Sequence, residues 1–151
     1  MRAAIARAHQ RVTGQTPKPA MLDILTAHVS HETANGERMF NYNFGGIKGP
    51  SERGLVARYG TTEFFDGKKT SIRAGFRAYR SLHEGAVDYV KFMRAGYGKA
   101  VAEAERGDVD GFSAALKRRG YYTAPQDAYA AAMRAHVRQG AHGAPPSQQV
   151  D

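Results

Sequence analysis

Glu32 closes the run Pro19-Ala20-Met21-Leu22-Asp23-Ile24-Leu25-Thr26-Ala27-His28-Val29-Ser30-His31-Glu32, and its place there suits it to proton transfer. Steps of three and four residues from Met21 reach Leu25, His28 and then Glu32, so the glutamate prolongs the apolar stripe of a helix. Desolvation raises a carboxyl pKa, and the negative end of the helix dipole in a last turn pushes the same way. A carboxylic acid kept partly protonated near neutral pH is what a general acid requires. Periodicity alone leaves a second reading open, in which Glu32 sits at a helix end and meets solvent. His28 and His31 flank it three residues apart, but a zincin-type metal helix needs two histidines four apart with the glutamate directly after the first. No metal or other cofactor is expected. His28 is expected to be packed or hydrogen-bonded, and His31 to border a cleft. With no cysteine in the chain, there is no thiolate nucleophile and no disulfide framework.

These residues must be positioned by the elements around them. Ala3 to Val12 has a helical period, which Thr13-Gly14-Gln15-Thr16-Pro17-Lys18-Pro19 interrupts. The helix carrying Glu32 should bury Met21, Leu22, Ile24, Leu25, His28 and Val29 and stop at Asn35-Gly36. Asn41 to Pro50 lacks either period and reads as an ordered loop. Leu55 to Phe65 and Thr70 to Tyr79 are rich in β-branched and aromatic residues, and Asp66-Gly67-Lys68-Lys69 between them signals a hairpin. Ser81 and Glu84 form a capping box for a helix from Leu82 to about Arg94 with Leu82, Ala86, Tyr89, Val90 and Met93 facing inward. Shorter helices are expected over Lys99–Arg106 and Val109–Arg119, with Asp108 and Asp110 as caps, and a last one over Gln126–Gln139. Asp88 should lie on a helix surface. The polar, Pro-containing stretch 140–151 reads as a disordered tail after a catalytic unit of 1–139. The fold class is α+β and mostly helical, a helical lobe and a small hairpin lobe with a cleft between them.

Several short segments in register add to this. His31-Glu32-Thr33-Ala34-Asn35-Gly36, then Tyr42-Asn43-Phe44-Gly45-Gly46-Ile47-Lys48, resemble the signature of the bacterial peptidoglycan N-acetylglucosaminidases, glycoside hydrolase family 73. The resemblance continues through Thr61-Thr62-Glu63-Phe64-Phe65-Asp66-Gly67, Phe76-Arg77-Ala78-Tyr79-Arg80-Ser81, Asp88-Tyr89 and Gly120-Tyr121-Tyr122-Thr123, covering about Pro19 to Arg138. It implies a lysozyme-like fold and cleavage, without a metal, of the β-1,4 bond between N-acetylglucosamine and N-acetylmuramic acid. It places the catalytic acid on Glu32, a second carboxylate on Glu63 and a cleft tyrosine on Tyr121, and it lines a sugar groove with Asn43 to Lys48. This chain departs from the family in the turn after the acid, where it has Thr33-Ala34-Asn35 and no tryptophan. Tyr42, Phe44, Tyr59, Tyr121 or Tyr122 would then stack on the sugar, with Gly45 and Lys48 beside them.

Glu63 shares a strand face with Tyr59, Thr61 and Phe65, opposite Val56, Arg58 and Phe64. It could activate water, stabilise oxocarbenium charge, or pair with Arg73 or Arg77 across the hairpin. A substrate-assisted route through the 2-acetamido group also stays open. The 151 residues make one domain, and a net charge of +8 favours a polyanionic partner, for which nucleic acid, anionic lipid and the carboxylate-bearing bacterial wall all qualify. Scattered Lys and Arg, without a nucleic-acid motif, argue against DNA or RNA, and no run approaches the roughly 20 apolar residues of a membrane span. The arginine-bearing N-terminus does not read as a secretory signal, so for an envelope or secreted site of action either the signal is missing from this chain or export is unconventional, as for an exported effector, a phage lysin or a domain excised from a longer autolysin. A monomer is expected. The competing readings are muramidase or lytic transglycosylase chemistry on the same polymer, a non-catalytic wall-binding module and, third, a nucleic-acid module.

Overall fold

The computed structural model describes residues 1–142. Six helices and one hairpin follow in the order α1 (Arg2–Thr13), α2 (Pro19–Thr33), a single tight turn at Phe40–Tyr42, β1 (Val56–Phe65), β2 (Lys68–Arg77), α3 (Leu82–Gly96), α4 (Gly98–Glu105), α5 (Val109–Arg118) and α6 (Gln126–His142). This is the expected α+β arrangement. The helix α2 runs through the centre, packed against α1, α4 and α6. It starts at Pro19, whose fixed φ suits a first helical turn, and ends where Ala34 turns left-handed at φ 48°.

The α2 face buries Met21, Ile24, Leu25, His28 and Val29 as expected, and Ala27 and Thr33 besides, whereas Leu22 is only half-buried. Each aliphatic side chain so buried contributes about 2 kcal/mol. In α3 the buried face is Ala86, Tyr89, Val90 and Met93, while Leu82 is exposed, because the first residue of a helix projects past the core. The capping box is half realised: Ser81 Oγ accepts from the Glu84 amide at 3.2 Å, but Glu84 Oε2 accepts from the Arg80 amide at 3.0 Å instead of that of Ser81. Asp108 caps α5 by accepting from the Gly111 amide at 2.8 Å, and Asp110 instead pairs with Arg134.

The hairpin turn is tighter than the sequence suggested. Only Asp66 and Gly67 turn, both with positive φ (47° and 72°), so Lys68 and Lys69 already belong to β2 and pair with Phe65 and Phe64. The last helix runs to His142, past the expected end at Gln139, so residues 140–142 belong to it and not to a tail. The rest of the expected tail, 143–151, lies outside the described residues. Among the described residues no helix is long and apolar enough to cross a membrane.

Candidate active site

The last turn of α2 brings Glu32 to the floor of the cleft between the lobes, a cavity of about 780 Å³. That is the size range of a pocket for an extended ligand. Tyr129 of α6 donates its hydroxyl to Glu32 Oε1 at 2.8 Å. His28, one turn earlier, holds Nε2 3.7 Å from the same oxygen, beyond hydrogen-bond reach. On the other side the loop backbone comes close at Gly46, where a Cβ would stand 3.5 Å from Oε2. Burial among these groups pushes the Glu32 carboxyl up to about 7, and the negative charge of Glu63 across the cleft adds to the rise. The Tyr129 hydrogen bond works against both, because it stabilises the carboxylate.

His28 is fully buried and exchanges a hydrogen bond of 2.8 Å between Nδ1 and the Tyr89 hydroxyl. Its Nε2 has no hydrogen-bond partner. Burial, reinforced by His31, pushes its pKa down to about 3, so the ring is neutral at neutral pH. His31 lies on the cleft wall, its ring edge-on to Tyr129 at 4.6 Å and 5.6 Å from His136. Among the described residues no group of three or more His, Asp or Glu side chains is arranged to hold a metal ion.

Tyr121 joins the two sides of the floor. Its hydroxyl donates to the Gly45 carbonyl at 2.6 Å, and a Cβ on Gly45 would stand 2.5 Å from that hydroxyl, so only glycine lets the loop come this close. Asn43 stitches the loop from within, donating to the carbonyls of Ile47 and Arg77 at 2.9 and 3.0 Å and accepting from the Ile47 amide at 3.0 Å. Asn43, Gly45 and Lys48 line the cleft as the sugar-groove expectation had it. Phe44 and Tyr42 do not. Phe44 is completely buried in the helical core, since the loop carries it under Tyr89, and Tyr42 is exposed outside the cleft with φ 57°.

The opposite wall is the hairpin. Alternation turns Tyr59, Thr61 and Glu63 to the half-buried face, where Tyr59 stacks on Phe76 at 4.3 Å and meets the edge of Phe40. Glu63 pairs with neither arginine considered for it: Lys48 Nζ holds its Oε1 at 2.6 Å. Arg77 is committed instead to Asp88, 2.9 Å away, which Tyr79 also engages. Asp88 is therefore buried, not on a helix surface, and it ties the hairpin base to α3. At the hairpin's far end the Phe64 amide donates to Thr123 Oγ1 at 3.2 Å.

The structure thus gathers Glu32, Glu63, Tyr121, Tyr122, Tyr59, Asn43, Gly45 and Lys48 around one cleft. Sequence spacing does not point to Tyr129. It lies 97 residues from Glu32, and in sequence it is one more tyrosine on a helix with no local pattern tying it to the acid. Arg38 and Phe40, which extend the cleft beyond Ala34, lie just past the helix stop, where no helical or strand period tells which way a side chain points.

Comparison with known proteins places the chain in a family and its fold among solved structures. The model of the glucosaminidase family, described as mannosyl-glycoprotein endo-beta-N-acetylglucosaminidase, matches residues 8–141. The peptidoglycan hydrolase FlgJ of Pseudomonas aeruginosa is 33% identical over 135 residues, covering 81% of this chain and 34% of that protein. A peptidoglycan hydrolase mutant from Sphingomonas sp. A1 superposes with a TM-score of 0.70 at 25% identity, over 93% of this chain and 94% of the other. The glycoside hydrolase domain of Salmonella typhimurium FlgJ, at 24% identity, shares the fold with a TM-score of 0.60 over 94% and 96% of the two chains. These likenesses bear out the expected lysozyme-like fold. The chain spans about a third of the length of the curated relatives it matches.

Proposed function

Because the chain belongs to the glucosaminidase family, we propose that it hydrolyses peptidoglycan, cutting the β-1,4 bond between N-acetylglucosamine and N-acetylmuramic acid with Glu32 as general acid. The observation that carries this is the half-enclosed Glu32 carboxyl, raised to about 7 and sharing a cavity of about 780 Å³ with a second carboxylate, Glu63. The wall as substrate is supported by relatives named as peptidoglycan hydrolases and by the net charge of +8, which draws the chain to an acidic polymer. The site of action is then the bacterial envelope or its surroundings, and the working unit is a monomer.

In this reading Glu32 gives its proton to the glycosidic oxygen as the bond to the anomeric carbon breaks. The Tyr129 hydroxyl stabilises the carboxylate that is left, and neutral His28 keeps the pocket free of a competing cation. Lys48 occupies Glu63 Oε1 and leaves Oε2 to face the positive charge on the sugar and to take a proton from the attacking water. Tyr59, flat against Phe76, offers the hairpin's aromatic surface to a pyranose ring and takes the place of the absent tryptophan.

Mass spectrometry of digested sacculi tests the bond assignment. A new reducing N-acetylglucosamine end is expected; reducing muramic acid or anhydro-muramic ends would overturn it. Glu32→Gln should abolish the clearing of a cell-wall gel while still sedimenting with sacculi. If wild-type protein sediments with sacculi of several species and releases nothing from any, the protein is a wall-binding module and the catalytic reading fails.

A further inference from the structure

The connector between α5 and α6 carries two adjacent tyrosines with different tasks. Tyr121 ties down the loop. Tyr122 lies flat against Tyr129, ring centroids 3.6 Å apart and planes 3° apart. Free aromatic pairs prefer offset or edge-on contact, so so close a parallel stack has to be enforced by the surroundings. Three contacts enforce it. The Tyr122 hydroxyl donates to the carbonyl of Ser113 on α5 at 2.9 Å. Lys117 Nζ stands over the Tyr122 ring at 5.2 Å. The same ammonium donates to the carbonyls of Thr123 and Ala124 at 2.9 and 2.7 Å, which fixes the connector itself. With Tyr129 and Lys117 against it, Tyr122 does not offer the free face that sugar stacking needs, although it borders the cleft.

Tyr129 needs such support. Its hydroxyl must stay 2.8 Å from Glu32 Oε1 while its neighbourhood opens onto a wide cleft, and a phenol ring has two side-chain torsions through which to leave. The edge of His31 restrains it from one direction and the plate of Tyr122 from another. We propose that Tyr122 is a positioning residue, a plate clamped by Ser113 and Lys117 that holds the Tyr129 hydroxyl on Glu32. Its action on the reaction passes through Tyr129, and it rests on the reading of Glu32 as general acid. The titratable and charged groups facing this trio are His28 and His31 from α2, Glu63 from the hairpin, Tyr89 from α3, Lys117 from α5, Tyr121 from the connector and His136 from α6.

The test is a set of kcat and KM profiles on soluble peptidoglycan fragments between about pH 5 and 9, for the full chain and its Tyr122→Ala, Tyr122→Phe and Tyr129→Phe variants. A general acid works only while protonated, so kcat falls as pH rises through the Glu32 pKa. Removing the Tyr129 hydrogen bond destabilises the carboxylate, so Tyr129→Phe should move that alkaline limb to higher pH. Tyr122→Ala should move it the same way, lowering kcat about tenfold with KM nearly unchanged, the loss of one hydrogen bond to a charged group. Tyr122→Phe keeps the plate but gives up the Ser113 bond, so it should lose less than Tyr122→Ala and move the limb by less. The double variant Tyr122→Ala/Tyr129→Phe should be no worse than Tyr129→Phe alone, because both changes remove the same bond.

A kcat loss in Tyr122→Ala with the alkaline limb unmoved would overturn the proposal, as would a rise in KM alone, which would mark Tyr122 as a sugar contact. Should the alanine variant not fold, Tyr122→Leu fills much of the space without a flat face and is read by the same two criteria. An active Glu32→Gln variant would instead sink the reading of Glu32 as acid. Thus the two failures are told apart.

Discussion

The two walls of the cleft each carry a carboxylate, and the side chains are almost equally exposed, 21% for Glu32 and 20% for Glu63. Their surroundings differ completely. Glu32 stands among tyrosine hydroxyls and a neutral histidine on packed helices, while Glu63 sits in an ion pair with Lys48 on a two-stranded sheet. Exposure alone therefore says little about the chemistry of an acid. What counts is whether the groups that replace water bring a compensating charge, and only the hairpin wall supplies one.

Breaking each wall in turn measures that difference. Glu32→Gln should cost about 10² to 10⁴-fold in kcat, the usual worth of a general acid, and Glu63→Gln clearly less. Equal losses in initial-rate assays would mean that the walls are chemically equivalent. Next in size is Tyr129→Phe, with a kcat loss of about tenfold and an alkaline limb moved upward, read from the same assays across pH. Lys48→Met acts on the hairpin wall only and should lower kcat about threefold, since a pair with its lysine half exposed is worth under about 1 kcal/mol. Its alkaline limb should stay where it is.

The effect furthest from the chemistry is on stability. Glu32, raised from 4.5 to about 7, holds a proton in the folded state that the unfolded chain releases, so it makes stability fall as pH rises through that window. The rise corresponds to at most about 3 kcal/mol. His28, lowered from 6.5 to about 3, has the opposite sign: the unfolded chain takes up the proton, and stability falls as pH drops from 6.5. His31 and His136, lowered by burial, add to that side. Between pH 4.5 and 6.5 the slopes oppose, but the three histidines together outweigh Glu32, so the wild-type Tm should rise only gently with pH by scanning calorimetry. In Glu32→Gln the falling term is gone, so Tm should climb with pH over the same range, and the inactive variant should be the more stable protein above pH 7.

Much of the helical wall was legible in the sequence because its signals are local. Pro19 and the Ala34-Asn35-Gly36 stop bracket α2, and the three-and-four spacing from Met21 leads to Glu32 without reference to any other element. The alternation that turns Glu63 toward the cleft is equally local. What stayed hidden is what one element does to another. Tyr129 meets Glu32 only because α6 packs on α2, and Asp88 is buried only because Arg77 and Tyr79 arrive from the hairpin base. Phe44 shows the converse: an aromatic in a cleft-lining loop went to the core, since one side of that loop must face the helices. Turn chemistry fell between these cases. Asp66-Gly67 marked the hairpin, but only their paired positive φ values show that two residues suffice.

The hairpin is anchored firmly at one end only. Asn43 and Asp88 grip its base, while single bonds from Lys48 and to Thr123 hold the part that bears Glu63. It is mechanically a lever. Glu63 lies seven residues from the start of β1 at Val56, about 23 Å along an extended strand. A swing of about 5° at the base moves its carboxylate by about 2 Å, which is more than the gap between the carboxylate separations of retaining and inverting glycosidases, roughly 5.5 and 6.5 Å. If Glu63 acts together with Glu32 as proposed, stereochemistry at the anomeric carbon becomes a matter of lever angle, set at the hairpin base by Asn43 and Asp88.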